Sequence, residues 1–489
     1  MSNKYPMRRQ SSDVKAKSSP NEKELGVVDQ LVDLVFEPLL DFDSENLAGS
    51  LTDDDQQAME DLGSSSELID EIINRAKQEE DAAKSAAETK FRAPSQEETR
   101  GKRVTVTARD PDFDRLMFQL DACKRDDHLS YRYDYRKMKV IGSGGQGIVY
   151  LTHCVDEHHL PKAVKIFSPE PYDSVSDYYD DMDRMGKIAS LVYRMQVDNL
   201  VMVDRFTYHH DICLMVMRWI EGHDLATLLR PELMERLRYK VDDERWEHLN
   251  SSVITTQGTI QSRLKPGMAV NIIEKCLRAL DALHSEGIVH GDIKPSNIML
   301  DRYGGIRLID IGSAFAQDEP PHRHTWTPRY APPEIFEGDA WTPQSDLASL
   351  GYVLIELLSG QPAVSGPVLD SDSTRMLGTE WDRHLLAEKL HLPNRLDELV
   401  PKQFQKSKEL MTLLRKLIDP DPEKRFANAE DALIGKDGTH PFMQTLTRGG
   451  LGAPFCQLIK HWLSDANKML PEASQTVTYD SPSIRTPRR

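Results

Sequence analysis

The sequence predicts an α+β protein in two lobes, with strands gathered early and helices late. Two observations carry this. Between Lys137 and Trp219 short strand-like runs follow one another, divided by glycine-rich or polar turns. After residue 222 the apolar residues recur at helical spacing instead. A third observation limits the fold: the composition changes near Tyr131, so the residues before it stand apart.

The elements follow in order. Lys137–Ile141 and Gly147–Thr152 read as two strands joined by a glycine-rich turn, and Lys162–Phe167 as a third. Leu200–Tyr208 and Ile212–Trp219 read as a fourth and fifth. Met268–His284 predicts a strong helix, with Val270, Ile273, Leu277, Leu280 and Leu283 on one face. Leu347–Leu358 is apolar almost all round, which predicts a buried helix.

Residues 41–100 hold 17 Asp/Glu against 6 Lys/Arg, with Asp53-Asp54-Asp55 and Ser64-Ser65-Ser66 runs, and cannot bury enough apolar surface to fold alone. Val27–Leu40, through Leu31, Val32, Leu34, Val35 and Leu39, reads as an amphipathic helix, and Met59–Lys77 as a weaker one. Such helices either dock, on a partner or on the chain's own folded domain, or form only transiently in a disordered arm. The expected organisation is an acidic, largely disordered region at 1–130, a folded domain at 131–445 and a tail at 446–489. Ser481 and Thr486 in that tail each precede proline and are candidate phosphorylation sites.

Composition excludes several classes. A net charge of −18 argues against nonspecific nucleic-acid binding, which needs a basic face. The five cysteines have no metal-like spacing and no CxxC pair, which suits buried thiols in a reducing compartment. No stretch approaches 18 apolar residues, so no membrane span is expected, and Met1–Lys17 lacks the apolar core of a secretory signal. The expected location is cytoplasmic.

Three stretches carry chemistry. In Gly142-Ser143-Gly144-Gly145-Gln146-Gly147-Ile148-Val149 the glycines let backbone N–H groups approach a phosphate. Lying between two strands, the stretch disfavours dinucleotide binding, and Val149 completes GxGxxGxV. In Ala163-Val164-Lys165-Ile166-Phe167 a strand following such a loop can carry Lys165 to the phosphates. The most specific stretch is His290-Gly291-Asp292-Ile293-Lys294-Pro295-Ser296-Asn297. It offers a proton acceptor, a cation and an amide in one loop, and Asp310-Ile311-Gly312 follows at the end of an apolar strand. Asn297 and Asp310 are an oxygen pair suited to Mg²⁺.

Residues 131–445 resemble the eukaryotic-type (Hanks-type) serine/threonine protein kinase family. The resemblance implies a two-lobed fold with a small antiparallel-sheet N-lobe and a mainly helical C-lobe. It implies transfer of the ATP γ-phosphate to Ser or Thr of protein substrates. Asp292 would accept the hydroxyl proton, Lys294 would steady the γ-phosphate, and Lys165 would hold the α and β phosphates. Asn297 and Asp310 would hold Mg²⁺. ATP would lie against Ile141, the loop Gly142, Ser143, Gly144, Gly145, Gln146 and Gly147, then Val149, Ala163, Lys165, the gatekeeper Met217, and Asp224 at the ribose. Thr327–Glu334 resembles the substrate-binding loop, with Glu334 expected to pair with Arg425. Ser345-Asp346 resembles the start of the buried helix that anchors the catalytic loop.

Three departures stand out. Gly291 replaces the arginine usual before the catalytic aspartate, which weakens activation through phosphorylated Ser313 or Thr325. Ile311 replaces a phenylalanine. No glutamate occurs from Tyr172 to Ile220, and Met185 falls near the expected position of the Lys165 partner, leaving Asp181 or Asp183 as substitutes. The insert between Glu221 and Pro266 is longer than usual and charged over 231–250. The missing glutamate, the glycine before Asp292 and the compact activation segment look more like bacterial members of the superfamily. The missing glutamate also leaves a second reading open, a nucleotide-binding pseudokinase that acts as a scaffold. A third has the acidic N-terminal region as the main partner-binding element.

Overall fold

The computed structural model describes residues 111–130, 134–255, 258, 260–321, 326–365, 379–448 and 454–469. The acidic stretch 41–100, the helices expected at Val27–Leu40 and Met59–Lys77, and Thr325, Ser481 and Thr486 lie outside the described residues.

Helix α1 (Pro111–Arg125) carries Asp112 and Asp114 in its first turn and Lys124 and Arg125 in its last, charges that suit the two ends of a helix dipole. Phe113, Leu116, Leu120 and Cys123 recur at helical spacing and are buried. Strand β1 (His128–Ser130) then pairs with β2 (Asp134–Gly144), which turns into β3 (Gly147–Cys154). With β4 (Leu160–Phe167), β5 (Val203–His209) and β6 (Ile212–Arg218) they form a six-stranded antiparallel sheet in the order β1-β2-β3-β4-β6-β5. Helix α2 (Val175–Met195) joins β4 to β5. The Ser174 side chain starts it by accepting the Asp177 N–H at 3.1 Å, and Gln196 ends it in a left-handed conformation. The end of α1 is tied to the β5–β6 hairpin: Cys123 Sγ lies 3.1 Å from the His209 carbonyl, and Asp126 Oδ2 lies 3.2 and 2.9 Å from the ring nitrogens of His209 and His210.

Strand β7 (Gly222–Asp224) leads into α3 (Leu225–Leu228), and the long insert folds as α4 (Pro231–Lys240) and α5 (Asp243–Ser252) before the short pair β8 (Ile254–Thr255) and β9 (Arg263–Leu264). Helix α6 (Pro266–Ser285) is the centre of the helical lobe, with most of its side chains buried. Beyond it come β10 (Ile288–Val289), β11 (Ile298–Asp301), β12 (Ile306–Leu308) and β13 (Phe315–Ala316). The remaining helices are α7 (Pro333–Phe336), α8 (Pro343–Ser359), α9 (Thr379–Leu399), α10 (Lys402–Gln405), α11 (Lys408–Leu417), α12 (Ala429–Ile434), α13 (Thr439–Arg448) and α14 (Phe455–Asn467). Helix α8 is buried on every side, as its composition predicts. Thr342 and Ser345 form a capping box, Pro343 occupies its first turn and Gly360, at φ 72°, stops it. Gly351 lets α8 approach α11: a Cβ there would lie 2.7 Å from Ile418 and 2.8 Å from Leu417.

Helix α1 and β1 pack with the sheet lobe and α14 with the helical lobe. Helix α14 buries Leu458, Ile459, Trp462, Leu463 and Ala466. Arg245 of the insert donates to Asp465 at 2.6 Å and to the His461 carbonyl at 3.0 Å, so the insert and α14 hold each other.

Leu120 is 1% exposed and Phe118, on the other face of α1, is 67% exposed. Leu120→Ala should therefore cost about 2–5 kcal/mol of unfolding free energy and Phe118→Ala only about 0.5 kcal/mol. Urea unfolding of the full chain measures both, and equal effects would mean that α1 is not part of the fold.

Candidate active site

The site is assembled from the glycine turn, strands β4 and β6, the loop after β10 and the turn after β12. The register pairs Val149 with Lys165 and Ala163 with Met217, so these four side chains share one face of the sheet. Ile141 is exposed at the rim, and the Gly142–Gly147 stretch closes the hairpin with Gly144 opposite Gly147. Gly147, at φ 141°, has no room for a side chain: a Cβ would lie 1.9 Å from the Ile166 carbonyl oxygen. Ser143, Gly144 and Gly145 are exposed at the turn.

Lys165 is 4% exposed, so its ammonium must be paired. It reaches Asp310 Oδ1 at 2.6 Å and donates to Gln146 Oε1 at 2.9 Å. Asp310 takes φ 62°, unusual for a side-chain-bearing residue, and its carboxylate accepts the Gly312 N–H at 3.0 Å. Burial works against its ionisation, but Lys165 and then the Gly312 N–H outweigh burial and hold its pKa below the ordinary carboxylate value. Neither acidic substitute on α2 takes part: Asp181 pairs with Arg184, and Asp183 lies 3.4 Å from Lys187. Met185 and Ile188 are buried on that helix. The expected replacement by Asp181 or Asp183 is thus corrected.

The loop after β10 hangs from one buried carboxylate. Asp346, fully buried in the first turn of α8, accepts the His290 N–H at 2.8 Å, the Gly291 N–H at 2.9 Å and a contact from the His284 ring at 2.9 Å. Burial raises its pKa, but His284 and then His290 outweigh that and keep it low. Turning both N–H groups inward leaves Gly291 at φ 73°, a conformation that glycine takes without cost.

On the open side of that loop Asp292 Oδ2 lies 2.7 Å from the Lys294 ammonium, and Oδ1 accepts from the Thr327 hydroxyl at 2.7 Å. Lys294 also donates to Thr327 at 3.0 Å. Asn297 donates its side-chain N–H to the Asp292 carbonyl at 2.8 Å, which leaves its amide oxygen as the atom to offer a cation. The Ile309 N–H bonds to the Asn297 carbonyl at 2.8 Å and so brings Asp310 beside it. Asp224 is occupied as the cap of α3, accepting the Thr227 N–H at 2.9 Å and hydroxyl at 2.8 Å.

Sequence reasoning placed Thr327 in the substrate-binding loop but not in bonds to Asp292 and Lys294. Its only signal is its place at the head of Thr327-Pro328-Arg329-Tyr330. The loop behind it is pinned three times. Tyr330 donates to Glu356 at 2.8 Å, Lys389 donates to the Arg329 carbonyl at 2.6 Å, and Glu334 and Arg425 form a buried bidentate pair at 2.7 and 2.8 Å.

A family model described as the protein kinase domain matches residues 135–436. The chain is 28% identical over 307 residues to the serine/threonine-protein kinase PknH of Mycobacterium tuberculosis, which covers 61% of this chain and 41% of that protein. It is 28% identical over 306 residues to the serine/threonine-protein kinase PrkC of Bacillus subtilis, covering 61% and 39%. It is 26% identical over 304 residues to the serine/threonine-protein kinase PknD of Mycobacterium tuberculosis, covering 61% and 39%. The chain thus spans about two fifths of the length of these curated relatives. It belongs to the protein kinase family, and the two-lobed fold and the resemblance to bacterial members expected from its motifs are met.

Lys389 gives a pH test of the loop's support. Burial pushes its pKa from 10.5 down to about 7, with Arg329 adding to the effect. Between pH 7 and 10.5 the unfolded lysine therefore binds a proton that the folded one does not. Stability should rise with pH across that window, by at most about 1.4 kcal/mol per unit, with the penalty fully present below it. Lys389→Met should lack this rise. Urea midpoints at several pH values would show the two curves converging as pH increases, and parallel curves would refute the assignment.

Proposed function

We propose that the chain is a serine/threonine protein kinase that moves the γ-phosphate of ATP to a Ser or Thr hydroxyl of a protein substrate. The observation that carries the proposal is the cluster of Asp292, Lys294, Asn297 and Thr327, bonded to one another on the open side of a rigidly held loop.

In this reading the Asp292 carboxylate accepts the proton of the substrate hydroxyl as its oxygen attacks the γ-phosphorus. Lys294 neutralises charge on the transferred group, and Thr327 holds the carboxylate and the ammonium in register. Lys165 holds the α and β phosphates. Ile141, Val149, Ala163 and Met217 offer an apolar face to the adenine, and the N–H groups of Gly142 to Gly147 face the phosphates. Asp224 meets the ribose on turning from its helix cap. Members of the family use a divalent cation, and the all-oxygen pair Asn297 and Asp310 suits Mg²⁺. When bound, Mg²⁺ supplies charge neutralisation along the phosphates. Lys165 keeps a carboxylate at 2.6 Å although α2 lacks a glutamate, which favours an active enzyme over a nucleotide-binding scaffold.

The substrates are protein chains bearing Ser or Thr. Among the described residues no helix is long and apolar enough to cross a membrane. All five cysteines are free, four of them buried, which fits a cytoplasmic location. The acidic N-terminal region is the proposed docking element for a partner.

Purified full chain with Mg-ATP and a generic acceptor protein tests the activity. Asp292→Asn should lower phosphate incorporation by about 10²–10⁴-fold, and Thr327→Val by a smaller factor. Chelation of divalent cations should abolish it. If Asp292→Asn incorporates phosphate as fast as the wild type, the reading fails.

A further inference from the structure

We propose that Gln146 is the positioning residue for Lys165, holding the lysine from the glycine-rich turn in place of a carboxylate on α2. The inference deepens the kinase reading and rests on it.

Three sets of observations support it. The first is what α2 does not offer. No glutamate occurs between Tyr172 and Ile220, Asp181 is taken by Arg184, and Met185 and Ile188 are buried on the helix. The second is what Gln146 does. Its Oε1 accepts from Lys165 at 2.9 Å, and its Nε2 donates to the Ser313 hydroxyl at 2.8 Å. The amide orientation follows from chemistry: an ammonium only donates, so the atom facing it is the oxygen. The backbone is fixed too, since the Gln146 carbonyl accepts the Ser168 N–H at 3.0 Å.

The third set concerns the side of Lys165 on which Gln146 lies. Gln146 lines a cavity together with Phe167, Met182, Met185, Gly312 and Ser313, between α2 and the turn after Asp310. That is the side a helix carboxylate would occupy. The space is also reserved: a Cβ on Gly312 would lie 2.3 Å from Lys165 Nζ and 2.6 Å from Gln146 Oε1. A side chain at 312 would push both the Lys165 and Gln146 ends from these positions.

A neutral amide differs from a carboxylate in its effect. It gives Lys165 direction without a second negative charge, so the ammonium is not doubly neutralised before phosphate arrives. Lys165 would be set when the glycine turn closes, not when α2 swings.

The test compares wild type, Gln146→Met, which keeps length but loses the acceptor, and Gln146→Glu, which restores one, with Asp292→Asn as control. Two readouts are used on the full chain: the rate of Lys165 acetylation by acetic anhydride without nucleotide, and kcat and KM for ATP. In Gln146→Met, Lys165 acetylation should rise about threefold or more. There kcat/KM for ATP should fall about tenfold, equivalent to 1.4 kcal/mol, with KM for the acceptor protein unchanged. Gln146→Glu should recover most of both. Should Gln146→Met fail to fold, Gln146→Ala is read the same way. Unchanged Lys165 acetylation in the apolar variant overturns the proposal. Equal phosphate incorporation by wild type and Asp292→Asn would instead overturn the kinase reading, leaving acetylation to decide on Gln146.

Discussion

The Asp346 carboxylate, buried where α8 begins, is the constraint from which the site follows. It is a full negative charge without solvent, tolerable because two backbone N–H groups and the His284 ring converge on it, and because a helix N-terminus favours an anion. Those N–H groups belong to His290 and Gly291, so satisfying Asp346 fixes the turn from which Asp292 projects. Leaving two buried donors without it would cost about 1–3 kcal/mol each. The glycine at 291 is the local consequence: the turn needs φ 73° there. A departure from the family's usual arginine thus removes backbone strain while it removes a phosphate-answering charge.

The lobes are joined by a second set of contacts that pass through the chemistry itself. Lys165 on β4 meets Asp310 after β12, and Gln146 meets Ser313. Behind them the Leu308 N–H bonds to the Asn199 carbonyl and the Val201 N–H to the Leu308 carbonyl, at 2.8 and 2.9 Å, so the chain before β5 is stitched to β12. The strand that delivers Asp310 is therefore held from the sheet lobe by its backbone and from the catalytic loop through Ile309 and Asn297. Small displacements of Lys165 and Asp310 relative to each other are resisted at both ends.

How much of this was legible depended on distance along the chain. Asp292, Lys294 and Asn297 lie within six positions, so their spacing alone exposed a loop with an acceptor, a cation and an amide. The Glu334–Arg425 pair, 91 residues apart, was reached only through resemblance to a family. The Lys165–Gln146 bond was not reachable by either route, because it arises from a missing glutamate and a turn geometry that no residue pattern announces. Helix α1 carries a clear apolar face, but the acidic stretch before it drew the boundary past it. Helices α4 and α5 are charged on nearly half of their positions, and only Leu233, Met234 and Leu237 of α4 and Leu249 of α5 are buried. Their cover is α14, more than 200 residues away, and tertiary packing of that kind leaves no local periodicity.

Charge explains why the site needs more than its own residues. The chain carries a net charge of −18, yet the proposed ligand is a polyanion. Within the site each ammonium is already matched, Lys165 by Asp310 and Lys294 by Asp292. Two lysines against two aspartates leave no surplus of positive charge to attract a triphosphate. The glycine turn helps, since its N–H groups bind phosphate oxygen without formal charge. In the proposed reading Asn297 and Asp310 would hold a divalent cation, which would supply the missing positive charge, and Lys165 would then be available to the phosphates. Gln146 would then matter more, because its bond to Lys165 does not depend on the Asp310 carboxylate.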